Sequence, residues 1–446
     1  MAKVGNSLEI LNAIMQTDVI DWASYVPFSV SDEGTLRQFG NIIMDEPLVY
    51  NAFCEQLVNK VTFSTISRAE FRNPLQRLYK GKTLGNIEDI FIDLPNVKQF
   101  TLDSSDSILL NKEDSNVKVS YYIFNVQREY KVTISRDEVA AAFTSIDNLN
   151  KFIEGKVSAI YTAIEYDSYN LALYLFDCGI INGVVKVEEI DATKPKQTYT
   201  KLRAFSNKFR FINDKYNKAG VKNNAPIERQ LIVITADAEA EITVEVLASL
   251  FNLSIADYTA SRIMVDSFDS VDLDRIEEML GDSYVDISSE LTDLANIYCM
   301  LIDEKAAQIY SNWDGGGSFF NPHKNWDNTF WIKSETYAIS PFNNAIVFVN
   351  QTATVTGITL KTGVGGSSAA ISLAKGTGTP LDITVAGTGL FEKDVTITVS
   401  DTDVAKVSNQ NYIYVVDDLT EDVTITVKSK ANTSVSATLT IEAPTE

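Results

Sequence analysis

The 446-residue chain contains one histidine and three cysteines, and no apolar run in it is long enough to cross a bilayer. Each scarcity excludes a class of chemistry. His323, within Asn321-Pro322-His323-Lys324, has no second imidazole anywhere to complete a metal pair or a proton relay, so it carries no catalytic expectation. Cys54, Cys178 and Cys299 are odd in number, widely separated and without ligand spacing, which reads as three reduced thiols in cores rather than a disulfide frame. The stretch after Met1-Ala2-Lys3-Val4-Gly5 carries Glu9 and Asp18, unlike the uninterrupted apolar region of a signal peptide. Positive charge is short as well: 38 Lys and Arg stand against 60 Asp and Glu, for a net charge of -22, which argues against a surface coated by nucleic acid.

Motifs for chemistry are also missing. Gly315-Gly316-Gly317 lacks the following Lys-Ser/Thr and the strand-to-helix setting of a phosphate loop, so it reads as a surface turn. Asp266, Asp269, Asp272 and Asp274 lack the ligand spacing and central glycine of a calcium loop and read as a solvated acidic stretch. Asn252-Leu253-Ser254 and Asn432-Thr433-Ser434 match glycan acceptors only by chance without secretion. No nucleophile elbow or cysteine-histidine pattern is present, so no catalytic residue, cofactor or metal is expected.

What is present is a core-forming composition, 45% hydrophobic, in a chain long enough for two or three domains. From Ser145 to Cys178 the residues Leu149, Phe152, Ile153, Val157, Ile160, Ile164, Leu171, Tyr174 and Leu175 recur mostly at spacings of three and four. That pattern predicts one amphipathic spine helix with Gly179 as its C-cap, a rod of about 45 Å at ~1.5 Å per residue. Residues 1–60 read as an arm with short helices. Between Lys60 and Lys82 a lone Glu70 faces Lys60, Arg68, Arg72, Arg77, Lys80 and Lys82, an unusually basic run in an acidic chain. Arg68, Arg72, Arg77, Lys80 and Lys82 are therefore candidate intersubunit contacts, the alternative being a solvated basic face. From Gly81 to Tyr130 the alternation in Ile90-Phe91-Ile92 and Val117-Lys118-Val119 predicts two strands around a polar tip, Asp103 to Asn116.

Beyond the spine, Val184 to Ile190, Gln230 to Thr235, Ser261 to Val265 and Ile297 to Asp303 read as strands, with a basic loop and helix from Lys194 to Lys222 and a helix over Val244 to Phe251. Phe330 to Ala338 and Asn344 to Val349 read as a returning strand pair. From Gln351 to Glu446 there is no Arg, His or Trp, and short Thr/Val runs predict a separate β-sandwich. The expected divisions are 1–60, 61–130, 131–180, 181–328, 329–350 and 351–446.

The chain resembles the major capsid proteins of phi-29-like small podoviruses, which have a Hong Kong 97-like shell fold and an added bacterial Ig-like group 2 domain. The likeness rests on Ser24-Tyr25-Val26-Pro27, Asn73-Pro74-Leu75, Lys80-Gly81, Leu84-Gly85-Asn86-Ile87-Glu88-Asp89-Ile90, Ile160-Tyr161, Glu165-Tyr166, Asp237-Ala238-Glu239-Ala240-Glu241 and Phe342-Asn343-Asn344-Ala345-Ile346-Val347-Phe348-Val349. In the C-terminal part it rests on Ile397 to Val407 and Ser434 to Ile441, with Val399 standing where that module often carries tryptophan. The resemblance implies an α+β fold in which the ribbon lies over a neighbouring subunit, the spine belongs to a peripheral domain and the second lobe is the axial domain. It implies a structural protein that self-assembles into hexamers and pentamers of an icosahedral shell. The implied partners are a scaffolding protein, a portal protein and double-stranded DNA held by weak, non-specific contacts. The implied place is the virion capsid, assembled in the bacterial cytoplasm and without membrane contact. The alternative is an adhesin or head-fibre protein whose Ig-like domain binds a host cell-surface polymer.

Overall fold

Ser145 starts the spine: its Oγ accepts from the backbone N–H of Asn148 at the head of a helix that runs Ile146–Ile181. Its 36 residues span about 54 Å at ~1.5 Å per residue. The computed structural model describes residues 7–17, 19–53, 56, 71–95, 97, 117–241, 262–321, 323–324, 326–363, 370–408 and 411–443. Arg68, Cys54, the ribbon tip from Asp103 to Asn116 and the expected helix over Val244 to Phe251 lie outside those residues. Gly179 is not the C-cap. The helix continues past it to Asn182, and Gly183 takes the left-handed conformation, φ 67°, that closes the last turn. Gly179 is instead a packing glycine, since a Cβ there would stand 2.4 Å from Ile339 Cδ1.

The two halves of the spine belong to different cores. Leu149, with Phe152 and Tyr161 against it, packs among Trp22, Leu36, Phe39, Ile43, Tyr50 and Phe53 of the N-terminal helices, which include Ser7–Ile14, Trp22–Tyr25 and Glu33–Asp45. Asp32 and Thr35 cap the last of these reciprocally. Leu171, Leu173, Phe176 and Ile180 pack in the main core instead.

In chain order the strands of this part are β1 (Tyr79–Lys82), β2 (Ile87–Ile92), β3 (Val117–Tyr122), β4 (Val126–Ser135), β5 (Lys186–Glu189), β6 (Gln230–Thr235), β7 (Arg262–Val265), β8 (Ile297–Asp303), β9 (Ala307–Asn321), β10 (Trp326–Ile339) and β11 (Ala345–Val349). They form a sheet β1-β9-β10-β4, a sheet β5-β11-β8-β6-β7 and the ribbon β2-β3. The expected returning pair is thereby corrected. β10 pairs with β9 and β4, whereas β11 lies in the five-stranded sheet between β5 and β8. Gly315 to Gly317 are not a turn either. They lie inside β9 opposite Ile332, Trp331 and Phe330, where the ring of Trp331 would stand 2.7 Å from a Cβ on Gly316. A strand position covered by an indole requires glycine.

Two polar side chains of the spine are closed off from solvent. Asn170 and Asp177, seven residues apart on one face, are fully buried, and no partner for either lies among the described residues. Burial, reinforced by Asp269, raises the Asp177 carboxyl well above its ordinary range. The folded chain therefore holds this proton to higher pH than the unfolded chain does, and the group's contribution to stability falls as pH climbs above ~4. Asp177→Asn should stabilise the protein by about 1–3 kcal/mol at pH 7. Thermal melts should show that gain disappearing near pH 4.

The C-terminal part contains β12 (Thr354–Thr362), β13 (Ala370–Ser372), β14 (Gly378–Thr388), β15 (Val395–Val399), β16 (Ala405–Val407), β17 (Tyr412–Val415), β18 (Val423–Ser429) and β19 (Ser436–Glu442). The sheets β12-β14-β17-β16 and β13-β19-β18-β15 enclose their own core of Leu360, Leu381, Ile413, Ile425 and Leu439. The segment between β14 and β15 fastens this unit to the rest: Leu390 enters the main core, and Asp394 accepts from Lys186, from Lys218 at 3.1 Å and from Lys430 at 3.3 Å. Burial opposes ionisation of Asp394, but the lysines prevail and hold its carboxyl below the usual range. Its contribution is therefore present above the unfolded value of ~4 and is lost as pH falls through the folded one. Because Lys186 is buried, Asp394→Ala should cost about 3 kcal/mol. Limited proteolysis should then cut the joint around Asn350 faster than in the unaltered protein.

Candidate assembly interface

The basic segment begins on a short helical turn, Pro74–Leu78, capped by Asn73, whose Oδ1 accepts from Leu75 N–H. The Asn73 N–H donates to Glu165 Oε2 at 2.9 Å, which ties the segment to the spine. Arg72 and Lys82 are exposed, and Arg77 reaches Glu304 at 3.4 Å. Lys80 donates weakly to the Lys305 carbonyl. Desolvation brings its ammonium down to about 8 against the attraction of Asp89 and Asp303. Arg77 and Lys80 are thus engaged within the chain, while Arg72 and Lys82 face outward; Arg68 lies outside the described residues.

The ribbon has two unlike faces. Toward the protein, Tyr122 and Ser340 both donate to Asp89 Oδ2, at 3.1 and 2.6 Å, the Phe91 ring lies 5.9 Å from that of Phe342, and Lys118 donates to the Ala219 carbonyl at 2.8 Å. On the other face stand Ile90 opposite Val119, Ile92 opposite Val117, and Tyr121 opposite Glu88, to which its hydroxyl donates at 3.0 Å, all exposed, with Ile92 at 67% and Tyr121 at 68%. A two-stranded ribbon with one apolar face bare is marginal in water, so this face calls for a cover. The alternation that marks these residues is visible in the sequence; which face lies bare is not.

Behind the ribbon the long strands are locked to the spine by buried charge. Arg128 of β4 and Glu335 of β10 form an ion pair at 2.5 Å, Arg128 also donates to Ser168 Oγ at 2.7 Å, and Lys333 lies 3.0 Å from Glu335. Burial alone would raise the Glu335 carboxyl, but Arg128 and Lys333 hold it below its ordinary value. Tyr79 of β1 meets Tyr337 hydroxyl to hydroxyl, and Tyr130 and Arg275 both bind Asp167 of the spine. Burial pushes both Tyr79 and Tyr337 up, so these phenols stay neutral. Sequence reasoning missed this knot because Arg128 and Glu335 are 207 residues apart.

Among the described residues no three His, Cys, Asp or Glu side chains converge as metal ligands, and no helix is long and apolar enough to cross a membrane. His323 sits on an exposed turn. The described residues thus form a fastened core from which one ribbon face stands exposed.

A sequence profile of the Phi29-like phage major capsid protein family matches residues 12–349. The chain belongs to that family. The match ends at the last residue of β11, just before the two C-terminal sheets. This capsid protein is 27% identical over 358 residues to the major capsid protein of Bacillus phage PZA, covering 78% of this chain and 74% of that one. It is 26% identical over 357 residues to that of Bacillus phage B103, covering 78% and 73%. Its fold is shared with the capsid structure of Staphylococcus phage Andhra, with a TM-score of 0.51 and 13% identity over 63% of this chain and 85% of that one. A chain in the structure of the head fiber and inner core protein gp22 of bacteriophage P68 matches equally, with a TM-score of 0.51 and 14% identity. The protein is therefore a structural subunit of a tailed-phage head, not an enzyme; it self-assembles into the shell and resides in the virion capsid. Its fold is the α+β, Hong Kong 97-like capsid fold, followed by an all-β C-terminal unit.

Proposed function

We propose that this capsid protein builds hexamers and pentamers by laying the bare ribbon face over a neighbouring copy. The observation that carries the reading is the row Ile90, Ile92, Val117, Val119 and Tyr121, exposed along one face of the ribbon and uncovered among the described residues. Arg72 and Lys82, with Arg68, would meet acidic surface on the neighbour, each exposed pair contributing about 0–1 kcal/mol and many repeats adding up. Arg77 and Lys80 hold the foot of the ribbon in place for that contact. Assembly proceeds around a scaffolding protein, closes at a portal protein and encloses double-stranded DNA, which an acidic subunit touches weakly and without sequence preference.

The C-terminal unit is read as an Ig-like module of the bacterial group 2 type, supported by its two four-stranded sheets and the Asp401 to Val407 stretch. In the second reading this module projects from the head and holds the virion to a host cell-surface polymer; what favours it is that the module is fastened beside the shell fold rather than within it. Deleting residues 351–446 and measuring adsorption separates the two, because unchanged adsorption removes the second reading.

Negative-stain electron microscopy of the purified full-length chain, alone and with a scaffolding protein across a salt series, tests the first. Rings, sheets or shells that weaken with salt are expected. A monodisperse monomer under every condition would overturn it.

A further inference from the structure

Two surfaces of the lobe built on the five-stranded sheet carry opposite charge. Between Lys194 and Arg229 ten Lys and Arg face two Asp and Glu, and between Asp266 and Asp293 ten Asp and Glu face one Arg. The first segment contains the helix Pro195–Phe209, whose Leu202, Phe205 and Phe209 pack with Ile232, Ile234, Leu301 and Phe348. The second contains the helix Leu273–Leu280, and its Phe268, Val271, Ile276 and Ile287 belong to the core that holds Leu231, Val233 and Met300. Successive strand residues point to opposite faces, so the basic and acidic segments lie on opposite sides of the sheet.

Each surface is neutralised only in part among the described residues. Lys194, Lys201, Lys218 and Arg229 are engaged by Asp191, Glu188, Asp394 and Asp303. Lys196, Arg203 and Arg210 recur every seven residues, so they stand in one row, and together with Lys208, Lys215 and Lys222 they meet no carboxylate among the described residues. On the acidic side Arg275 is taken by Asp167, which leaves Asp274, Glu277, Glu278 and Asp282 exposed without a cation among the described residues. Each surface also presents apolar groups to solvent: Phe211, 72% exposed, with Ile212 beside the basic row, and Val285, 57% exposed, beside the acidic one.

We propose that the acidic side of one copy docks on the basic helix of the next. The inference rests on the shell reading above and adds which surfaces of the lobe meet. A contact between unlike faces on opposite sides of a subunit leaves both ends of a pair unsatisfied, so it propagates, ending where the rotation closes a ring and otherwise running on as a filament. Charge at the rim with Phe211, Ile212 and Val285 within it is the composition of a protein interface. Duplex DNA would satisfy the basic row alone and leaves the acidic side unexplained, whereas a second copy accounts for both.

The test uses the full-length protein and three charge variants, K196E/R203E/R210E, D274K/E277K/E278K and the combination of all six. Sedimentation and electron microscopy should show each triple variant assembling at least ten-fold less than the unaltered chain at the same low salt, with unchanged melting. The six-fold variant should assemble, and so should a 1:1 mixture of the two triples, in which the reversed surfaces alternate and only even-membered rings can close. Independently of any variant, a mixture of isotope-labelled and unlabelled protein should give carbodiimide cross-links between copies that join Lys196 or Lys208 to Glu277 or Glu278. Triple variants that assemble like the unaltered chain would overturn the proposal. So would a basic-row variant that assembles normally but no longer retains duplex DNA, which would assign the row to nucleic acid. If the unaltered chain forms no oligomer, the shell reading fails too; if it assembles and only the variants behave unexpectedly, this contact alone fails.

Discussion

Arg128→Met should destabilise the subunit by about 3–5 kcal/mol, because it leaves Glu335 buried without its main counter-charge. Glu335→Leu should cost about as much by stranding Arg128. The double variant Arg128→Met/Glu335→Leu should be less destabilised than the sum of the two, since it removes both charges and their desolvation together. Calorimetry on the three variants measures the coupling directly, and strict additivity would show that the pair is no unit. Acid should weaken the unaltered chain through the same pair. The Glu335 carboxyl titrates below its ordinary value, so its contribution is complete above ~4.3 and is lost as pH falls through the folded value. In the double variant that part of the acid sensitivity should be gone.

The second large effect falls on association rather than folding. Ile90→Asp/Ile92→Asp places two carboxylates on the bare face of the ribbon, where neither side chain supports the subunit's own core. Burial of an Ile side chain against a neighbour is worth about 1.5–3 kcal/mol, so losing two weakens each contact by about 3–6 kcal/mol, or roughly a hundred- to ten-thousand-fold. The melting temperature should barely move while shells and rings disappear from sedimentation profiles. Particles that form as before would mean that the face is covered by something other than a neighbouring copy.

The elements the sequence made legible are those whose signal is local. Periodicity revealed the spine to within a few residues, and the near-continuous Leu231-Ile232-Val233-Ile234 run marked β6, an interior strand of its sheet between β8 and β7. The spine's end was misplaced because Gly179 mimics a C-cap, while its real role, contact with Ile339, comes from a strand 160 residues away by number. The triple glycine read as a turn because glycine is usually depleted in strands, and its cover, Trp331, is supplied by pairing. Two hydrophobic runs close in sequence, β10 and β11, look like partners although they enter different sheets. For the assembly surfaces, the basic run was visible as composition, but only the fold shows that the exposed Arg77 and Lys80 are engaged by Glu304 and the Lys305 carbonyl.

The spine helix is shared by two cores, with Leu149 seated in one and Leu171 to Ile180 in the other. Such a helix fixes a phase. Each residue advances the face by about 100°, so one residue inserted between the two halves would turn every contact of the second half away from its core. An insertion of seven, close to two whole turns, would restore direction but lengthen the rod by about 10 Å and pull the cores apart. Viable length variation in shells built from this subunit therefore belongs in the loops, and the interior of the spine should hold its residue count fixed.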